Sequence, residues 1–272
     1  WSPISNPPFP DWRLFMSQAM SQGDDTVDNR SGEGLGDKAP QRRLYGRRLG
    51  RPLRPTRRDL INTLLPELTV PIVEGVGAEG AGTLDPATLF AAGENSALLE
   101  SWLEIGFGCG EHLAAQAQAH PEIGFIGCEP FMNGVATLLA HISALGLGNI
   151  RFHPDDARLL LEALKESSIS RAFILFPDPW PKKRHWKRRI VAPETLDQLA
   201  RVMVEGAELR LASDHSDYVE WMLDHLTDHP AFELVQDGRA RPADWPPTRY
   251  EAKAQAAGRE CVYLSFRRRS RS

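Results

Sequence analysis

The chain has 272 residues, with 32 Lys and Arg against 36 Asp and Glu, a formal net charge of −4, 42% hydrophobic residues and 25% charged ones. This is the balance of an ordinary folded domain, and it excludes collagen-like, coiled-coil and wholly disordered chains. No apolar run reaches the roughly 18 residues of a membrane span, and the opening WSPISNPPFP lacks a basic segment followed by an apolar core, so neither a span nor a secretory signal is predicted. Cys109, Cys128 and Cys261 are odd in number and never in CxxC spacing, which argues against a disulfide framework and a zinc site. A reduced, cytoplasmic protein without a metal is expected.

Residues 1–41 mix Pro, Ser, Gly and Asp with little apolar periodicity and are predicted to be a disordered leader. A single domain is expected over 42–272. It opens with a basic arm, 42–58, holding eight arginines and no acid, and continues into DLINTLLPEL, a short helix ending near Pro66. Strands are then expected at 101–106, 124–129, 150–153, 171–176 and 208–213, with helices between them at Glu111–Ala119, Asn133–Leu145, Arg158–Glu166, Pro193–Val204 and Asp217–Leu226. The alternation predicts an α/β fold with a mainly parallel sheet. FELVQ (232–236) and CVYLSF (261–266) break the rhythm, with no clear helix between them, and are expected to pair antiparallel. The long connection 237–260 is expected to stand outside the sheet, where such loops are usually functional or disordered.

Charge is segregated beneath the small net value. The arm, the stretch Lys182–Arg189 and the arginines at 267, 268, 269 and 271 together hold 18 of the 32 basic residues. An acidic body bearing concentrated basic patches suits a polyanionic partner, because phosphate contacts release condensed counterions.

The first strand runs into LEIGFGCGEH. Gly106, Gly108 and Gly110 form a GxGxG turn whose missing Cβ atoms let a ligand approach the backbone. A dinucleotide loop would aim a helix at a pyrophosphate, yet Glu104 precedes the glycines and Glu111 opens the helix, which suits a cation better. S-adenosyl-L-methionine carries an ammonium and a sulfonium, and Glu104 is placed to hold its amino-acid end. Glu129, at the next strand end, suits the ribose hydroxyls. Asp156, at the third, either meets the adenine amino group or caps the following helix.

The fourth strand leads into PDPWPKKRHWKRR. Pro177 and Pro179 fix the backbone around Asp178, so an acid is held rigidly at the ligand edge. A carboxylate there can accept from the N1–H and exocyclic amine of a guanine, turning N7 toward the methyl donor, and can stabilise the positive charge that develops on the ring. Trp180 and Trp186 either stack on bases or pack internally. Lys182, Lys183, Arg184, Lys187, Arg188 and Arg189 are expected to hold phosphates. In the late connection, Arg249 suits a phosphate or a guanine edge, Tyr250 a stacking contact and Glu251 base amino groups. Ser213, Asp214 or Ser216 can cap the helix after the fifth strand.

LEIGFGCG, FPDPWPKKRHWKRR, ASDHSDY and PPTRYE together resemble the tRNA (guanine-N7-)-methyltransferase family of class I methyltransferases, over about Arg42 to Arg267. The resemblance implies a Rossmann-like, seven-stranded sheet with a reversed last hairpin, and methyl transfer from S-adenosyl-L-methionine, leaving S-adenosyl-L-homocysteine, to the variable-loop guanosine at tRNA position 46. It further implies that Glu104, Glu129, Asp156 and Asp178 contact the methyl donor, with Asp178 catalytic. Lys182, Asp214, Thr248, Arg249, Tyr250 and Glu251 would bind the nucleic acid. No obligatory protein partner is predicted. Two departures from the family pattern, Pro181 and Tyr250, leave the implied chemistry untouched.

Overall fold

Seven strands alternate with helices in the computed structural model, which describes residues 45–72, 82–90 and 100–270. The predicted leader lies outside the described residues, as do Arg42, Arg43 and Arg271. In chain order the elements are α1 (Pro55–Leu68), β1 (Glu100–Ile105), α2 (Glu111–Ala119), β2 (Ile123–Cys128), α3 (Met132–Leu145), β3 (Ile150–His153), α4 (Ala157–Ala163), β4 (Ile169–Leu175), α5 (Pro193–Val202), β5 (Met203–Ser213), α6 (Ser216–Asp228), β6 (Phe232–Gly238), α7 (Arg249–Ala256) and β7 (Val262–Arg268). Short 3-10 turns add Pro86–Phe90 and Lys183–Arg188. No described helix is long and apolar enough to cross a membrane.

The sheet order is β3-β2-β1-β4-β5-β7-β6. β1 lies parallel to β2 and β4, and the order reverses between β1 and β4, which opens a cleft at their carboxyl ends. β7 runs antiparallel to both β5 and β6, the reversed hairpin expected from the sequence. Alternate residues of each strand feed different cores. Leu103, Ile126, Ile174, Leu211 and Leu264 join α4, α5 and α6 on one face, through Leu160, Leu161, Leu196, Leu199, Tyr218 and Met222. Trp102, Phe125, Phe173, Ala212 and Tyr263 meet Leu113, Leu138 and Leu139 of α2 and α3 on the other. At about 1.5–3 kcal/mol per fully buried large apolar side chain, both faces contribute heavily, which explains why the strands read as continuous apolar runs.

Beyond shifts of one to three residues at many element ends, four features differ from expectation. The helix after the arm begins at Pro55, inside the arginine run, because proline at the first helical position is pre-set for helix and its missing N–H costs nothing there. It passes through Pro66 to Leu68, since in the last turn a proline removes only one ladder bond. β5 starts at Met203, directly after α5, with a register shift between Ile169 and Arg171 of its partner β4. The connection between β6 and β7, read as free of helix, contains α7. Thr248 caps that helix by accepting from the Glu251 N–H at 3.1 Å, and TRYE is the S/T-x-x-E capping pattern that marks a helix start.

Candidate active site

The glycine loop leaves β1 at the switch point with positive φ at Gly106, Gly108 and Gly110 (+78°, +57°, +79°). Gly108 donates its N–H to Glu129 Oε2 at 2.8 Å, and Phe131 N–H donates to Oε1 at 2.9 Å, so the buried Glu129 carboxylate is aimed by two backbone groups. Burial raises its pKa against those two hydrogen bonds, and the nearby charges of Asp178 and Glu104 raise it further. Glu104 near the end of β1, Glu129 just past β2 and Asp178 just past β4 stand at the carboxyl edge of three neighbouring parallel strands. Glu104, also buried, has Oε2 at 2.7 Å from His112 Nδ1. Glu111, at the start of α2, is raised by burial, with Glu104 adding repulsion. Gly134 was not singled out from the sequence: a Cβ there would stand 2.1 Å from the Gly108 carbonyl oxygen, so glycine is what lets α3 press against the loop. A glycine in the first turn of a helix is the signal that could have found it.

Asp178 sits where the prolines were expected to hold it. Phe176 and Trp180, at either end of the PDP triplet, both take positive φ (+50° and +44°), a conformation costing about 1–3 kcal/mol each that the surroundings must impose. Arg189 imposes part of it. It is 3% exposed, and its Nε donates to the Pro179 carbonyl at 2.9 Å. Its guanidinium carbon lies 4.8–4.9 Å from the ring centroids of Trp186, Tyr218 and Trp221. Arg189 is therefore a brace for the Asp178 loop rather than a phosphate contact, and Trp186 is part of its cage rather than a stacking platform. Trp180 carries Arg188 on one face at 4.9 Å. Asp178 is exposed as a residue, yet the protein around its carboxyl still desolvates it enough to raise its pKa. It has no hydrogen-bond partner among the described residues.

The run 248–251, read as one substrate-facing unit, divides in two. Arg249 and Tyr250 face the glycine loop: Arg249 meets the Cys109 thiol and stands 3.6 Å from Glu111, while the Tyr250 hydroxyl lies 2.8 Å from where a Gly108 Cβ would be. Tyr250 also stacks on Phe176 at 6.4 Å and 20°. Thr248 and Glu251 turn inward. Thr248 is the cap, and Glu251, 6% exposed, accepts from Arg241 Nε through Oε1 at 3.1 Å, so its carboxylate is buried within the loop rather than offered to a base. Asp214 does not cap α6. It accepts from Arg259 Nε at 2.7 Å, tying the end of β5 to the segment after α7. Asp156 does cap α4, accepting from the Arg158 N–H at 3.0 Å and from its guanidinium at 2.6–3.1 Å.

The three basic runs part company. The arm lies across the start of α3: Arg48 accepts from Met132 N–H through its carbonyl at 2.9 Å, Gly50 N–H donates to Asn133 Oδ1 at 2.7 Å, and the Arg48 guanidinium pairs with Asp155 at 2.9 and 3.2 Å. Lys182, Lys183, Arg184 and Lys187 are exposed beside Asp178. The C-terminal arginines lie at the opposite edge, because β7 carries Val262 beside Ser213 but Arg267 beside Glu208. Arg268 is buried and donates to the Ala200 carbonyl at 2.8 Å, while Arg267 and Arg269 pair with Glu233 at 3.4 and 3.9 Å. The C-terminal arginines, counted among the basic patches that suit a polyanion, are thus engaged in anchoring the hairpin.

A reversed seven-stranded sheet with a glycine loop and acids at the switch point is the class I methyltransferase fold. Residues 100–264 match the family described as "Putative methyltransferase". A solved structure described as "Structure of an antibiotic related Methyltransferase" shares this fold with a TM-score of 0.50 at 17% identity, covering 69% of this chain and 98% of that one. The tRNA (guanine-N(7)-)-methyltransferase of Rhodospirillum rubrum is 53% identical over 234 residues, 85% of this chain and 89% of that protein. That of Paramagnetospirillum magneticum is 51% identical over 241 residues, 87% and 97% of the two. The chain belongs to the tRNA (guanine-N(7)-)-methyltransferase family.

Proposed function

We propose that this chain transfers a methyl group from S-adenosyl-L-methionine to N7 of the variable-loop guanosine at tRNA position 46, with Asp178 as the catalytic residue, the activity residing in residues 42–272. One observation carries the reading. Glu104, Glu111, Glu129 and Asp178 gather at the switch point with Glu111, Glu129 and Asp178 raised by burial, while exposed cations stand at the rim. Apart from Arg249 beside Glu111, this crowded, partly desolvated set of carboxylates is short of positive charge, and an ammonium and a sulfonium would supply it, so the residues present fit this donor.

When bound, the donor supplies a methyl group on cationic sulfur. Glu104 would hold its ammonium, Glu129 its ribose hydroxyls and Asp156 its adenine end, with Gly106, Gly108 and Gly110 letting it approach the loop backbone. Guanine N7 has a free lone pair, so no proton is removed: the N7–carbon bond forms as the carbon–sulfur bond breaks, the electron pair stays on sulfur, and the positive charge passes to the ring. Asp178 accepts from the guanine N1–H and exocyclic amine, turns N7 toward the methyl group and stabilises the developing charge. Arg189 and the two prolines hold that carboxylate still. Lys182 and its neighbours take tRNA phosphates, and Arg249 with Tyr250 meets the nucleoside. Asp214, Thr248 and Glu251 support the substrate by ordering the helix that presents those two.

The test is to incubate the protein with unmodified tRNA and methyl-labelled donor, then treat the RNA with borohydride and aniline. Label incorporation with scission at position 46 is expected; incorporation without scission there would overturn the assignment to N7. Asp178→Ala is expected to lower turnover by at least about 10²-fold while tRNA retention on a filter stays near normal.

A further inference from the structure

Glu104 has a buried partner that the proposed mechanism does not use. His112, on the first turn of α2, is 4% exposed against 3% for Glu104, and its Nδ1 lies 2.7 Å from Glu104 Oε2. The ring is fixed on two further sides. Its edge packs on Phe173 of β4 at 4.9 Å and 66°, and its Nε2 faces the Gln116 side-chain amide, one turn along α2, at 3.4 Å. The other Glu104 oxygen, Oε1, has no hydrogen-bond partner among the described residues. One oxygen of the carboxylate is thus engaged by the protein, and the other is not.

We infer that His112 is a positioning residue: through its Nδ1 contact it pins Glu104 Oε2 so that Oε1 is presented to the ammonium of the donor's amino-acid end. The inference rests on the reading of Glu104 given above and deepens it. A buried carboxylate without a partner would bear a large desolvation cost and would turn among rotamers, and both penalties would be felt when a ligand arrives. A ring locked between α2 and β4 removes both before binding. Such a role acts on one end of the ligand alone, which separates it from a general contribution to packing.

The test uses two ligands that share the nucleoside and the thioether. S-adenosyl-L-homocysteine has the amino-acid end, and 5′-methylthioadenosine lacks it. Titration calorimetry on the full chain is expected to show His112→Ala weakening S-adenosyl-L-homocysteine about tenfold, as loss of a hydrogen bond to a charged group would, while 5′-methylthioadenosine changes less than about twofold. Glu104→Gln should show the same selectivity. His112→Asn, whose amide N–H can stand where Nδ1 stood, is expected to recover most of the loss. Should His112→Ala not fold, His112→Met fills the ring's space without a donor and carries the same expectation. Equal losses for the two ligands, or none for either, would overturn the inference. If the unaltered chain bound neither ligand, the reading of the cleft as an S-adenosyl-L-methionine site would fall, which is a different result.

Discussion

The turn at Lys182–Arg189 and the strand end at Arg267–Arg269 are near twins in composition and differ in everything else. The turn leaves β4 at its carboxyl end, beside Asp178, and turns Lys182, Lys183, Arg184 and Lys187 outward while Arg189 alone goes in. The strand end belongs to β7, which runs against its neighbour, so its arginines emerge at the far edge and spend their donors on Glu233 and the Ala200 carbonyl. A run of like charge therefore has no meaning for binding until the direction of its strand is known. Even within the useful run, one residue in six serves the interior.

That contrast can be broken at its strongest point by Arg189→Ala, which removes a charged hydrogen bond to the Pro179 carbonyl and three ring contacts from a buried site. A loss of about 3 kcal/mol in unfolding free energy is expected from those terms, read by denaturant titration. Arg189→Lys should recover little of it, because an ammonium has no fork to reach the carbonyl and lie among the rings together. A variant as stable as the parent would mean that the cage does not brace the loop. A smaller effect is expected from Lys182→Ala with Arg184→Ala. This pair should weaken tRNA binding and reduce the slope of log affinity against log salt by about 0.7–0.9 per lost phosphate contact, with stability unchanged. Arg267→Ala with Arg269→Ala should leave both the affinity and the slope alone. If the second pair altered the slope as much as the first, the division between the two runs would be wrong.

The sheet was legible because its strands are buried on both faces and so read as apolar runs, and the acids at their carboxyl ends could be placed before any coordinates. Arg189 was misread because its partners come from α6, some 30 positions further on: Tyr218 and Trp221 give no sign in the sequence that they will close on an arginine. Glu251 was misread for a different reason. The capping pattern with Thr248 was present in the letters, but the same four residues also suit contacts to a nucleoside, and only the fold separates the two. The close passage of Gly134 over Gly108 depends on how α3 lies against the loop, and tertiary packing of that kind leaves no local pattern beyond the glycine itself. Asp156 was open between two roles, and its carboxylate takes the capping one by accepting from the Arg158 N–H, with the Arg158 guanidinium paired to it as well.

The mildest expected effect concerns protons. Burial holds the carboxyls of Glu111, Glu129 and Asp178 above their ordinary values, so the folded chain keeps protons that the unfolded chain has already released. The contribution of these three groups to stability then falls as pH rises from the ordinary carboxylate range through their raised values, since the native state binds the more protons there. A cationic ligand entering the same cleft pulls the three values down again. Binding of S-adenosyl-L-methionine should therefore release protons in that window and weaken by a factor of a few as pH falls through it, whereas near neutral pH, with these carboxyls ionised, they should make it nearly insensitive. Calorimetry at one acidic pH in two buffers of different ionisation enthalpy measures the release directly. Glu129→Gln should reduce it, because one of the three carboxyls is gone, while Glu233→Gln at the far edge should not. Net proton uptake on binding would have the wrong sign for a cation meeting these acids, and would place the ligand's charge elsewhere in the molecule.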